Sequence, residues 1–117
     1  MEKNFTIKDG VDWNTKDPHD FTIKSIRINL AKPYLVEKFI SFEYKRSDDK
    51  LIPKKPLPIS SNDPLIIIPS DYQYYLNVTY LKIVILDNDK KPWTECELAT
   101  VTYEQYPHIE AQISMGF

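Results

Sequence analysis

The chain has 117 residues, a length that fits one domain, with 42% apolar and 27% charged residues and a net charge of −2. Lys and Arg are interspersed with Asp and Glu, so charge makes no case for nucleic acid or an anionic membrane as partner. A single cysteine, Cys96, excludes an internal disulfide framework and a thiolate zinc site, and the presence of only two glycines excludes Gly-rich phosphate and dinucleotide loops.

Residues 1–20 are mostly polar, with isolated apolar Phe5, Ile7, Val11 and Trp13, and read as an N-terminal arm or edge segment ahead of a domain at 21–117. The first ten residues, MEKNFTIKDG, hold no apolar stretch of signal-peptide length. No run approaches the ~20 apolar residues of a membrane-spanning helix. The expectation is a protein made in the cytoplasm, and the sequons at Asn4 and Asn77 are read as chance. FTIKSIRINL (21–30) alternates with a slip: Phe21 and Ile23 share one parity, Ile26 and Ile28 the other. A strand keeps one face across such a slip only by absorbing an extra residue, which predicts a bulge near Lys24-Ser25.

Ala31-Lys32-Pro33 breaks the run. YLVEKFISFEYKR (34–46) then reads as a strand with Tyr34, Val36, Ile40, Phe42 and Tyr44 on one face, and Leu51-Ile52 as its hairpin partner after a polar reversal. The Pro-rich segment 53–64 is a loop or an edge. LIIIP (65–69) reads as a short buried strand, and SDYQYY as a turn carrying Tyr72, Tyr74 and Tyr75. LNVTYLKIVIL (76–86) is the longest strand candidate. Its apolar positions also slip, from Leu76, Val78 and Tyr80 to Leu81, Ile83 and Ile85, so it either bulges at Tyr80-Leu81 or is covered on both faces. WTECELATVTYEQY (93–106) and HIEAQISM (108–115) supply the last strands, with Cys96, Leu98, Ala99, Val101, Tyr103 and then Ile109, Ala111, Ile113 and Met115 inward.

Turn signals at intervals of about 8–12 residues predict an all-β fold. The expected architecture is a single-domain antiparallel β-sandwich, Ig-like or jelly-roll-like, of about 7–8 short strands. Scarcity of glycine argues against a closed barrel, whose corners need it.

Chemistry-bearing patterns are few. Asp87-Asn88-Asp89 is the one candidate calcium site, to which Asp48-Asp49 and Asn62-Asp63 could add oxygens. Its run DNDKKP resembles the calcium-binding linker of cadherin repeats over this turn alone; the paired glutamates and D-R-E signature of that family have no counterpart. Asp and Asn are equally the residues a strand reversal needs. His19 and His108 stand beside prolines in turn regions, and no G-x-S-x-G or H-E-x-x-H pattern accompanies them. Cys96 reads as a small core residue. No catalytic residue, cofactor or metal is expected.

The remaining candidates are aromatic. Phe5, Trp13, Tyr72, Tyr74, Tyr75 and Trp93 are candidate interface or ligand residues, with the three tyrosines as a stacking platform. The expected function is a non-enzymatic structural or interaction protein: a small virion component of a bacterial virus, in the tail, connector, baseplate or capsid decoration. Its partners would be other protein subunits in a homo- or hetero-oligomeric assembly, with no membrane or nucleic acid. The alternatives are a glycan-binding attachment module using the tyrosines and an OB-type single-strand binder.

Overall fold

The computed structural model describes residues 1–29, 34–47, 50–94 and 97–109. Eight strands form among them: β1 (Glu2–Thr6), β2 (Val11–Ile28), β3 (Phe39–Arg46), β4 (Leu51–Pro53), β5 (Leu57–Pro58), β6 (Leu65–Ile67), β7 (Tyr74–Leu86) and β8 (Leu98–Pro107), with a 3-10 turn at Ser70–Tyr72. All pairings are antiparallel, in the order β1-β8-β2-β7-β3-β4, with β5 added to β3 and β6 to β2.

This hydrogen-bonded sheet makes a sandwich because its longest strand bends. At 18 residues, β2 would measure roughly 60 Å if straight, longer than the 46 Å long axis of the whole molecule. Its first part, Val11–Asn14, pairs with β7, whereas Ser25–Ile28 pairs with β8 and β6. Residues 15–18 bulge out between Asn14 and His19, opposite Thr79 alone on β7. The two halves then face each other. The Trp13 ring lies 5.5 Å from Phe21 and 4.9 Å from Tyr103, a residue paired with Ile23. Bulges and bends of this kind are how one strand serves two layers.

The core between the layers is apolar throughout and runs from Phe5, Ile7, Val11 and Trp13 through Ile23, Ile40, Phe42 and Ile83 to Val101 and Tyr103. Full burial of each large side chain stabilises by about 1.5–3 kcal/mol, and no charged side chain lies buried among the described residues. The slip in 21–28 is absorbed as its parity requires: Ile23 faces Tyr103 and Ser25 faces Thr102, leaving Lys24 as the extra residue.

In β7 the slip takes a different form. The buried set is Tyr75, Val78, Leu81, Ile83 and Ile85, while Leu76 is exposed and Tyr80 partly so. Two irregularities produce it. Leu76 and Asn77 together stand opposite Asp20 of β2, and Thr79 is extra against β3, where Lys45 faces Tyr80 and Arg46 faces Val78. The bulge therefore precedes Tyr80 rather than following it. Asn77 takes a left-handed φ of 62° to make the first irregularity, a conformation Asn tolerates.

Several expectations are corrected. Residues 1–20, expected as an arm or edge segment without core residues, supply the edge strand β1 and the first part of β2, which runs across residue 20, and Phe5, Ile7, Val11 and Trp13 belong to the common core. LIIIP is not a buried strand but a short edge on β2 with Ile67 in solvent; burial falls on Ile68. Tyr34 is exposed and Leu35 buried instead, because the chain turns at Val36-Glu37 before β3 begins. Leu98 and Ile109 are exposed, not inward. Cys96, Asp48-Asp49 and the strand expected beyond Ile109 lie outside the described residues.

Candidate interface on the outer sheet face

Phe5 and Trp13 are core residues, and Trp93 is half-buried against the core with the Lys38 ammonium 5.1 Å from its ring. The three tyrosines do not form one platform. Consecutive residues of a strand point to opposite faces, so Tyr75 is fully buried while Tyr74 stands on the outer face. Tyr72 packs on the core and its hydroxyl donates to the Lys55 carbonyl at 2.8 Å. Burial lifts the Tyr75 phenol well above its usual range, with Tyr44 and Tyr72 adding to the effect. The glycan reading, which needs coplanar exposed rings, loses its site.

The acidic turn is built from its own backbone needs. Asp87 Oδ1 accepts the amides of Asp89 at 2.9 Å and Lys91 at 3.0 Å, and the Asp87 amide donates to the Lys91 carbonyl at 2.8 Å. Lys90 takes the left-handed conformation, φ 60°, that closes the reversal. Asn62 and Asp63, the expected helpers, instead accept backbone amides of Leu35, Val36 and Leu65. Among the described residues no three His, Cys, Asp or Glu side chains converge. Turn formation accounts for the whole Asp87-Asn88-Asp89 pattern, and the cadherin-like resemblance goes no further.

What the fold does assemble is an exposed face across β7, β2 and β8. On one rung Tyr74, Thr22 and Glu104 stand side by side; on the next, the Leu76 bulge faces Asp20, which faces Tyr106. Tyr74, Leu76 and Tyr106 are 60%, 43% and 45% exposed. The Tyr106 hydroxyl lies 3.4 Å from Thr22 Oγ1 and donates to Glu104 at 3.0 Å, so its side chain reaches back along β8 to the Thr22–Glu104 rung.

The polar groups around these side chains are already paired. Lys24 donates to Glu104 at 2.7 Å. The hydrogen bond from Lys24, then that from Tyr106, holds the Glu104 carboxyl below its ordinary value of 4.5, and the same Lys24–Glu104 bond raises Lys24 above 10.5. Asp20 Oδ1 accepts the Asn77 amide at 3.0 Å and lies 2.6 Å from His108 Nδ1. One carboxylate thus pins β2, the β7 bulge and the residue that follows β8. Only Tyr74 of this face was singled out in the sequence. Leu76 and Tyr106 carry no signal by themselves, because their exposure follows from the bulge at Asn77 and the end of β8.

No family model and no curated protein matches the sequence. Among solved structures, the chain is similar to the Drosophila NLP core, described for its pentamer formation and histone binding. The identity is 12% over 91% of this chain and 96% of that one, with a TM-score of 0.48. The expectation of a virion component of a bacterial virus is corrected on this finding, since the similar structure is a Drosophila protein of another kind. No candidate contact residue is taken from the likeness.

Proposed function

We propose that the chain is an interaction protein rather than an enzyme, and that it works by docking the outer face of β7, β2 and β8 onto a protein subunit in an oligomeric assembly. The simplest such assembly is one of its own copies. The observation that carries this reading is the placement of Tyr74 and Leu76 on β7 and Tyr106 on β8 in solvent, on the two strands that flank β2. Tyrosine gives large contact area at small rotameric cost and is enriched in interface cores. The Lys24–Glu104 and Asp20–His108 contacts are already made within the face, so covering them leaves few unpaired groups.

The test is the mass in solution of the wild-type chain and of a Tyr74→Lys/Leu76→Lys variant. Self-assembly in the wild type, with loss of assembly but retained thermal unfolding in the variant, supports the reading. A wild type that stays a single chain at every concentration overturns it.

A further inference from the structure

The edges of this sheet are not treated alike. On β1, the Lys3 ammonium reaches across to the Asp12 carbonyl at 3.1 Å and lies 5.3 Å from the Trp13 ring. The edge strand β4 ends in Pro53. On β5, Ile59 donates to the Lys38 carbonyl at 2.9 Å, so the Leu57 backbone also faces β3 and the outward position falls to Pro58, which has no N–H. Lysine and proline are the usual means of blunting a strand edge against pairing. On β6, Leu65–Ile67 carries neither.

The β6 ladder fixes which groups are free. Ile28 donates to the Pro64 carbonyl at 2.8 Å and Ile68 to the Lys24 carbonyl at 3.0 Å, so Pro64, Ile66 and Ile68 face β2. By the alternation of an antiparallel pair, Leu65 and Ile67 face away. The Leu65 amide is taken by Asp63 Oδ1 at 2.9 Å. The Leu65 carbonyl and both backbone groups of Ile67 are left pointing outward, and Ile67 is 67% exposed. Beside them runs a groove of about 330 Å³ between the two layers, with Leu57, Pro58 and Ile59 on one wall and Leu65, Ile66 and Ile67 on the other. Among the described residues, Asp63 is its only ionisable lining residue.

We infer that this groove binds an extended, apolar peptide segment of a partner protein, which adds to β6 as a further antiparallel strand. Backbone complementarity sets the partner's conformation: two hydrogen bonds at Ile67 and one at the Leu65 carbonyl require an extended chain. The apolar walls select alternating apolar side chains. The Asp63 carboxylate selects a Lys or Arg at the end lying against it. Pro58 has a carbonyl but no N–H to offer, so β6, with both groups of Ile67 free, is the edge the segment extends. This site is separate from the Tyr74–Leu76–Tyr106 face, and either can fail without the other.

The experiment uses the full chain and a synthetic peptide, acetyl-Val-Thr-Val-Thr-Val-Arg-amide, followed by NMR titration and hydrogen exchange. Saturable binding with about tenfold slower exchange of the Ile67 amide is expected, the scale of one added hydrogen bond. Ile67→Pro deletes an amide that takes no part in the β2 ladder, and should bind about tenfold more weakly with thermal unfolding retained. Asp63→Asn keeps the acceptor for Leu65 and should erase the preference for Arg over Glu at the peptide end. Absence of binding, an Ile67 amide unaffected by bound peptide, or undiminished binding to a folded Ile67→Pro variant would overturn the inference. So would protection of Ile67 that rises with protein concentration alone, since a second copy would then be the occupant.

Discussion

Gly10 links β1 to β2 at a φ of +73°, and a Cβ added there would lie 2.6 Å from the Ile83 carbonyl oxygen. Backbone conformation and contact both forbid a side chain. Gly10→Ala should therefore destabilise the fold by about 2 kcal/mol or more, read as a lower midpoint in urea unfolding. Tyr75 presents the opposite case. Its ring stacks on Phe42 at 5.9 Å and meets Tyr44 edge-on at 5.3 Å, but its buried hydroxyl has no hydrogen-bond partner among the described residues. An unmet buried hydroxyl costs about 1–3 kcal/mol, so Tyr75→Phe should be at least as stable as the parent. A clear loss of stability in the same unfolding assay would show that the hydroxyl has a partner.

Among the elements, β2 and β7 decide the architecture, and each does so through irregularity. The bulge at Lys24 was legible because Phe21-Ile23 and Ile26-Ile28 differ in parity, and a strand with one buried face must absorb that difference. The odd-numbered series Phe5, Ile7, Val11 and Trp13 carries the same period of two, but polar neighbours and the glycine turn disguise it as an arm. The tyrosine cluster misled for a geometric reason: adjacency in sequence is opposition in a strand. What could not be read is the face itself, since Leu76 and Tyr106 meet only through a non-local register across β2.

The Lys24–Glu104 pair that crosses two strands on this face gives a pH signature. Glu104 is held below 4.5, so its contribution to stability is present above that value and is lost as pH falls through the lowered pKa. Lys24 is raised above 10.5, so its contribution is present below that value and is lost as pH rises through the raised pKa. Lys24→Met should move the Glu104 titration midpoint upward, followed by the carboxyl carbon in NMR. The return to 4.5 should be incomplete, because the Tyr106 hydroxyl still donates to Glu104. An unmoved midpoint would contradict the pairing.

At the scale of the molecule, one bent sheet encloses one core and leaves two distinct outer features: a tyrosine-bearing face across β7, β2 and β8, and an unguarded edge at β6. The face carries the proposed function, so the most direct measurement is the solution mass of the 13.8 kDa chain, by light scattering or sedimentation across a wide concentration range. The account expects the wild type at a multiple of that mass and the folded Tyr74→Lys/Leu76→Lys variant at the single-chain value. A wild type at the single-chain mass throughout, or a variant that assembles as the wild type does, would contradict it.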